Sequence, residues 1–111
     1  MWNIKSKNSY DLTMTEGDFG VEIDIALGGI SLGSSDTVRM TVKKSKNGST
    51  VLEKELEKSE DETDTVTLCF DEDESMMLKV GSYVYALDWY NGDQFMYNIV
   101  NNAKLKVEDK I

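Results

Sequence analysis

Any chemistry in this chain must come from carboxylates, one thiol or aromatic rings, because histidine is absent from its 111 residues. Without the usual proton shuttle near neutral pH, Ser-His-Asp and Cys-His machinery is excluded. The single thiol, Cys69, lies between Leu68 and Phe70 and is followed by Asp71-Glu72-Asp73-Glu74. Neighbouring negative charge raises a thiol pKa, so no nucleophile is expected there, and Cys69 is expected in a strand core as a small apolar residue. No GxxxxGK[ST] sequence is present, and Gly28-Gly29 with Gly33 does not make a GxGxxG. Asp71, Asp73 and Ser75 have the spacing that opens a calcium loop, but the sixth and twelfth places hold Met76 and Ser82 instead of Gly and Glu. The reading of this cluster is a helix cap at Asp71 with solvated acids at Glu72 and Glu74. No catalytic residue, cofactor or metal is therefore expected, and paired carboxylates for glycoside hydrolysis lack any implied pocket. The remaining candidates are the rings of Trp89, Tyr90, Phe95 and Tyr97, which suit a protein interface or a sugar-stacking platform.

Those rings need a hairpin to hold them. Gly81 to Val100 reads as two long strands joined at Asn91-Gly92, a pair suited to the two positive φ angles of a type I′ turn. A two-residue loop there would pair Tyr90 with Asp93. It would put Tyr83, Tyr85, Leu87 and Trp89 on one face with Gln94, Met96, Asn98 and Val100. Val84, Ala86, Asp88 and Tyr90 would share the other face with Phe95, Tyr97 and Ile99. Both faces are partly apolar, which points to a hairpin inside a sandwich.

Upstream, Tyr10–Thr15 and Phe19–Leu27 alternate around a Glu16-Gly17-Asp18 turn and predict two strands. Asp36–Lys43 predicts a third with Val38, Met40 and Val42 inward. After a turn at Lys46–Ser49, Thr50–Leu56 fits a fourth strand, although Leu52 and Leu56 are four apart and also fit a helix through VLEKELEKSEDE. Asp64–Phe70 predicts a fifth strand with Val66, Leu68 and Phe70 on one face, residues 71–78 a short helical crossover stopped by Gly81, and Ala103–Glu108, with Leu105 and Val107 inward, a stretch that continues or ends the sheet. The expectation is an all-β, immunoglobulin-like antiparallel β-sandwich of seven to eight strands over residues 10–111, preceded by an N-terminal extension at 1–9. Tyr83, at the start of the longest strand, stands either as a tyrosine corner or as an ordinary strand residue, and Tyr85 takes the place where antibody domains carry a cysteine.

Composition narrows the partners. Twelve Lys and Arg against 21 Asp and Glu give a formal charge of −9, which disfavours nucleic acid and anionic membrane surfaces. Seven acids between Glu53 and Asp64 face only Lys54 and Lys58, a solvated edge that discourages strand-to-strand aggregation. One cysteine cannot close an internal disulfide, so packing and hydrogen bonds must stabilise the domain. No signal-peptide pattern opens the chain and no apolar run approaches a spanning length, so no membrane insertion is expected. The expectation is synthesis and folding in the cytoplasm.

The order YDLTMTEGDFG, DTVRMTVKKS, VLEKEL, a strand into an acidic turn, LKVGSYVYALDWYNGDQFMYNIV and AKLKVE resembles the small immunoglobulin-like domains of tailed phages and prophages of Gram-positive bacteria. It is most similar to the N-terminal domain of upper baseplate proteins. The matching residues are Thr13–Gly20, Val38–Lys44 and the run Gly81, Tyr83, Tyr85, Leu87, Trp89, and the likeness extends from Tyr10 to Glu108. The resemblance implies a non-enzymatic structural module contacting other tail or baseplate proteins, often as a symmetric homo-oligomer, with the virion tail as its destination. The chain departs from that plan by ending at Ile111, without the coiled coil and receptor-facing region of a baseplate subunit. A carbohydrate-binding or adaptor sandwich is the alternative.

Overall fold

The computed structural model describes the backbone of residues 3–4 and all of residues 10–28, 30–59 and 63–109. Among these, the strands are β1 (Asn3–Ile4), β2 (Leu12–Thr15), β3 (Ile23–Ala26), β4 (Asp36–Lys43), β5 (Thr50–Lys58), β6 (Thr65–Leu68), β7 (Gly81–Asn91) and β8 (Gln94–Glu108). One short helix, α1 (Glu72–Met76), connects β6 to β7. The strand order is β1-β2-β8-β7-β4-β5-β6-β3. The fold is thus the expected all-β sandwich, with a difference in one pairing. β2 runs parallel to β8, Leu12 opposite Leu105 and Thr15 opposite Glu108, while its other edge takes β1 antiparallel. Every other ladder is antiparallel.

β5 links the two layers. Its length pairs with β4 from Thr50 to Leu56, and only Glu57 and Lys58 pair with β6. The segment that also fitted a helix is therefore strand. Alternation decides it: Leu52 and Leu56 reach the core while Glu53, Glu55 and Glu57 are exposed. The core is continuous between the layers, with Val38, Met40 and Val42 of β4 and Tyr85 and Leu87 of β7 packed with Ile25 of β3, Val66 and Leu68 of β6, and Phe70.

Three expectations need correction. The second predicted strand, Phe19–Leu27, shrinks to β3, and Phe19 and Val21 are exposed because pairing with β6 starts only at Ile23. Cys69 is half-buried just past β6 and outside the core. Val66, Leu68 and Phe70 take the inward positions, so alternation turns Cys69 the other way. Finally, β8 is one continuous strand through Glu108, and the residue pairs predicted across the hairpin are shifted, as described below.

Candidate interaction site

The aromatic hairpin turns one residue later than its Asn-Gly sequence indicates. Asn91 pairs with Gln94 and Tyr90 with Phe95, so the two central residues are Gly92 and Asp93. Gly92 has φ of +59° and Asp93 has no positive φ, the pattern of a type II′ turn, in which glycine takes the first central place. Asn91 is occupied elsewhere: its Nδ2 donates to Asp36 Oδ1 at 2.8 Å. Gly92 N–H donates to Ser35 O at 2.9 Å, which ties the tip to the loop before β4.

Beyond the turn, β8 carries more residues than β7 over the same length. The pairs run Trp89 to Tyr97, Asp88 to Asn98, Leu87 to Val100 and Tyr85 to Ala103, so β8 bulges three times. Each bulge resets which β8 residues face inward. Of the four residues expected beside Tyr83, Tyr85, Leu87 and Trp89, only Val100 is there, with Ala103 and Leu105 farther down, while Gln94 and Met96 are exposed. Tyr97 shifts to the Trp89 face and away from Tyr90.

The four candidate rings consequently separate into two pairs on opposite faces. Tyr90 and Phe95 meet edge-to-face, with centroids 5.7 Å apart and planes at 73°. The Arg39 guanidinium lies 4.4 Å from the Tyr90 ring centre, a cation–π contact that holds this ring on the outer face of β4. On the other face, Trp89 is half-buried against the core and Tyr97 stands opposite it. With Tyr10, Leu27, Gly28, Ile30 and Ile99, they line an apolar cleft of about 530 Å³. Phe95 and Tyr97 keep 53% and 57% of their surface exposed. The exposed run is therefore Phe95-Met96-Tyr97, with Trp89 and Tyr90 as its supports.

Asp36 is the polar centre beneath the tip, and the sequence reading missed it. It is a buried acid at the first position of β4. Besides the Asn91 amide, its Oδ2 accepts the Gly33 N–H at 2.7 Å. The Trp89 indole N–H is buried and faces this carboxylate without closing a hydrogen bond, yet lies near enough to favour its charge. The Asn91 amide first, then the Gly33 N–H and the indole, hold the Asp36 pKa below the ordinary carboxylate value, against the opposing effect of partial burial. Lys58 steadies the same loop by donating to Gly33 O at 2.9 Å and Ser34 O at 3.2 Å. Asp36 N–H donates to Gly33 O at 3.2 Å, so Gly33-Ser34-Ser35-Asp36 is a β-turn, and this turn sequence before an alternating strand was the signal available for it.

At the other end of β7, Tyr83 makes the tyrosine corner. Its hydroxyl donates to Lys79 O at 2.8 Å and accepts from Lys79 N–H at 2.9 Å. Tyr85 is fully buried and its hydroxyl donates to Tyr10 O. Burial, with Asp11 nearby, raises its pKa far above the ordinary phenol value, so it is a neutral donor.

The acidic cluster is a cap. Asp71 Oδ1 accepts from Glu74 N–H at 2.8 Å and Glu74 Oε1 accepts from Asp71 N–H at 3.0 Å, a complete capping box. Ser75 turns inward and donates to Glu72 O, so Asp71, Asp73 and Ser75 do not converge on one point. Among the described residues, no group of three or more His, Cys, Asp or Glu is arranged to hold a metal ion. Glu74 corrects the expectation of a solvated acid: Lys54 Nζ reaches it from β5 at 2.7 Å and also donates to Cys69 O, with both side chains under one-fifth exposed.

Among the described residues, no helix is long and apolar enough to cross a membrane. No protein-family model matches the chain, and comparison with curated proteins gives no significant match. Among solved structures, the chain is similar to CopC from Methylosinus trichosporium OB3b, at 17% identity and a TM-score of 0.56 over 89% of this chain and 84% of that one. At that identity the likeness establishes a shared β-sandwich fold.

Proposed function

We propose that this protein is a non-enzymatic structural module of a phage or prophage tail or baseplate, contacting its protein partners through the tip of the β7–β8 hairpin. The observation that carries the contact reading is the exposed run Phe95-Met96-Tyr97 on a hairpin braced by Asp36, Asn91 and Arg39. Large apolar side chains held rigidly at a projecting tip lose little entropy on association, and aromatic anchors dominate interface energetics. The tail assignment rests on the resemblance of the YDLTMTEGDFG, DTVRMTVKKS and GSYVYALDW segments to baseplate domains. The sugar-stacking alternative needs coplanar exposed rings, and the 73° between Tyr90 and Phe95 disfavours it on that face.

The test is to purify tailed particles after inducing the encoding strain and to locate the chain by mass spectrometry and immunogold labelling. Label at the tail or its tip supports the reading. Particles without the chain, or no particles at all, would overturn the assignment.

A further inference from the structure

A second concave surface lies on the outer face of β4, β7 and β8, away from the aromatic tip. Its volume is about 310 Å³. Thr41 and Lys43 of β4 form one wall, and Asn101 and Asn102 of β8 the other. Val84 and Ala86 of β7 make the floor, and Lys46 and Asn47 from the β4–β5 turn close one end. Two irregularities create the concavity. The β4–β5 register shifts between Val42 and Lys43, and β8 bulges where Tyr85 and Leu87 pair with Ala103 and Val100. Bulges bend and twist the strands that carry them, so the sheet curls between the two. At the second bulge Asn102 has φ of +55°, the one positive φ at a non-glycine residue in the described chain. Gly48 N–H donates to Ser45 O at 2.9 Å, which sets the turn bearing Lys46 and Asn47.

The charge of this surface is unlike that of the whole chain. In a protein of formal charge −9, Lys43 and Lys46 line the cleft without a carboxylate partner among the described residues. Its one acid, Asp88, accepts the Asn98 amide at 2.7 Å and has Arg39 as its cross-strand neighbour. Two ammonium groups without a carboxylate partner are free to meet an anion. Three amides and a hydroxyl each both donate and accept, which matches the vicinal hydroxyls of a sugar and exceeds what a bare anion can use. The small, flat floor of Val84 and Ala86 accommodates the C–H face of one ring, and the volume is at the small end of the range for ligand pockets.

We propose that this surface binds an acidic saccharide, a sugar ring bearing a carboxylate, with Lys43 and Lys46 meeting the carboxylate and Thr41, Asn47, Asn101 and Asn102 the hydroxyls. The inference is independent of the tail reading. An open site of this kind binds weakly, with Kd on the order of 1 mM.

The experiment is a heteronuclear NMR titration of the whole chain with D-glucuronate, with D-glucose and inorganic phosphate as separate probes. Saturating shifts confined to Thr41, Val84, Ala86, Asn101 and Asn102 are expected with glucuronate, and roughly tenfold weaker binding with glucose. Lys46→Gln, at an exposed position, should weaken glucuronate about two- to fivefold, and Lys43→Gln with Lys46→Gln about tenfold, since exposed ion pairs are individually weak. Unchanged thermal melting of these variants verifies their fold. Absence of localised shifts up to about 50 mM, or shifts unaffected by both lysine changes, would overturn the site. Phosphate binding as tightly as glucuronate would overturn the saccharide assignment, leaving a simple anion site.

Discussion

Tyr83 is both a core ring and a hydrogen-bonding group, and the two roles separate by substitution. It is only 7% exposed, so Tyr83→Ala should cost about 3 kcal/mol or more, as large aromatic truncations do. Tyr83→Phe keeps the ring and loses only the two bonds to Lys79, for about 1 kcal/mol. Denaturant unfolding of both variants checks this; equal losses would mean that the corner hydroxyl and not the ring dominates. Asp36 makes a different prediction, through pH. Its folded pKa is lowered, so it contributes stability above the unfolded carboxylate value, and that contribution disappears as pH falls through the folded value. The wild type should therefore lose stability below about pH 4, and Asp36→Asn should flatten that part of the profile while lowering stability at pH 7. Urea midpoints measured from pH 2 to 7 test it; a parallel profile in the variant would show that other acids dominate.

At the scale of elements, α1 and β8 show how neighbours override local pattern. Glu72 and Glu74 look alike in sequence, two solvated acids in the first turn of a helix. Only Glu74 completes the capping box and receives Lys54 from β5. Glu74→Ala should therefore cost about 1–2 kcal/mol, and Glu72→Ala less than about 0.5 kcal/mol, by chemical denaturation. The β8 bulges could not be read from alternation, because a bulge leaves residue types unchanged and alters only their count against the partner strand. Asn102 offers a direct check. Asn tolerates its left-handed conformation, a β-branched residue does not, so Asn102→Val should destabilise by about 1–2 kcal/mol and Asn102→Gly should be close to neutral. A stable Asn102→Val variant would mean that the bulge relocates.

For the whole molecule, the question is association. The hairpin tip presents Phe95, Met96 and Tyr97, and further exposed apolar side chains are Met76, Met77 and Val80 between α1 and β7, and Phe19 and Val21 ahead of β3. Tip-mediated assembly predicts that light scattering will show a defined oligomer that returns to monomer in Phe95→Ser with Tyr97→Ser, without loss of thermal stability. An oligomer that survives those changes would place the contact elsewhere, and a strict monomer would restrict the tip to a different protein.

Much of the architecture is written in the order of residues. β4 appears at its predicted limits because period-two alternation and flanking turns both specify it, and burial of Val38, Met40 and Val42 reinforces the same face. The cap at Asp71 and the aromatic content of the hairpin follow from equally local rules, whereas Gly81-Ser82-Tyr83 fits a corner and an ordinary strand ring alike and only the bonds to Lys79 select the corner. Tertiary structure decided the rest. It moved the turn to Gly92-Asp93 because Asn91 bonds to Asp36, which is 55 residues away in sequence. It limited β3 to four residues and set β2 parallel to β8, since strand ends and partners depend on which edges are free. It also assembled the lysine and asparagine cleft from three strands and a turn, a grouping that no spacing along the chain expresses. The physical reason is range: turn chemistry and alternation act over a few residues, whereas register, burial of a polar network and concavity arise only when distant strands compete for the same backbone groups and the same core.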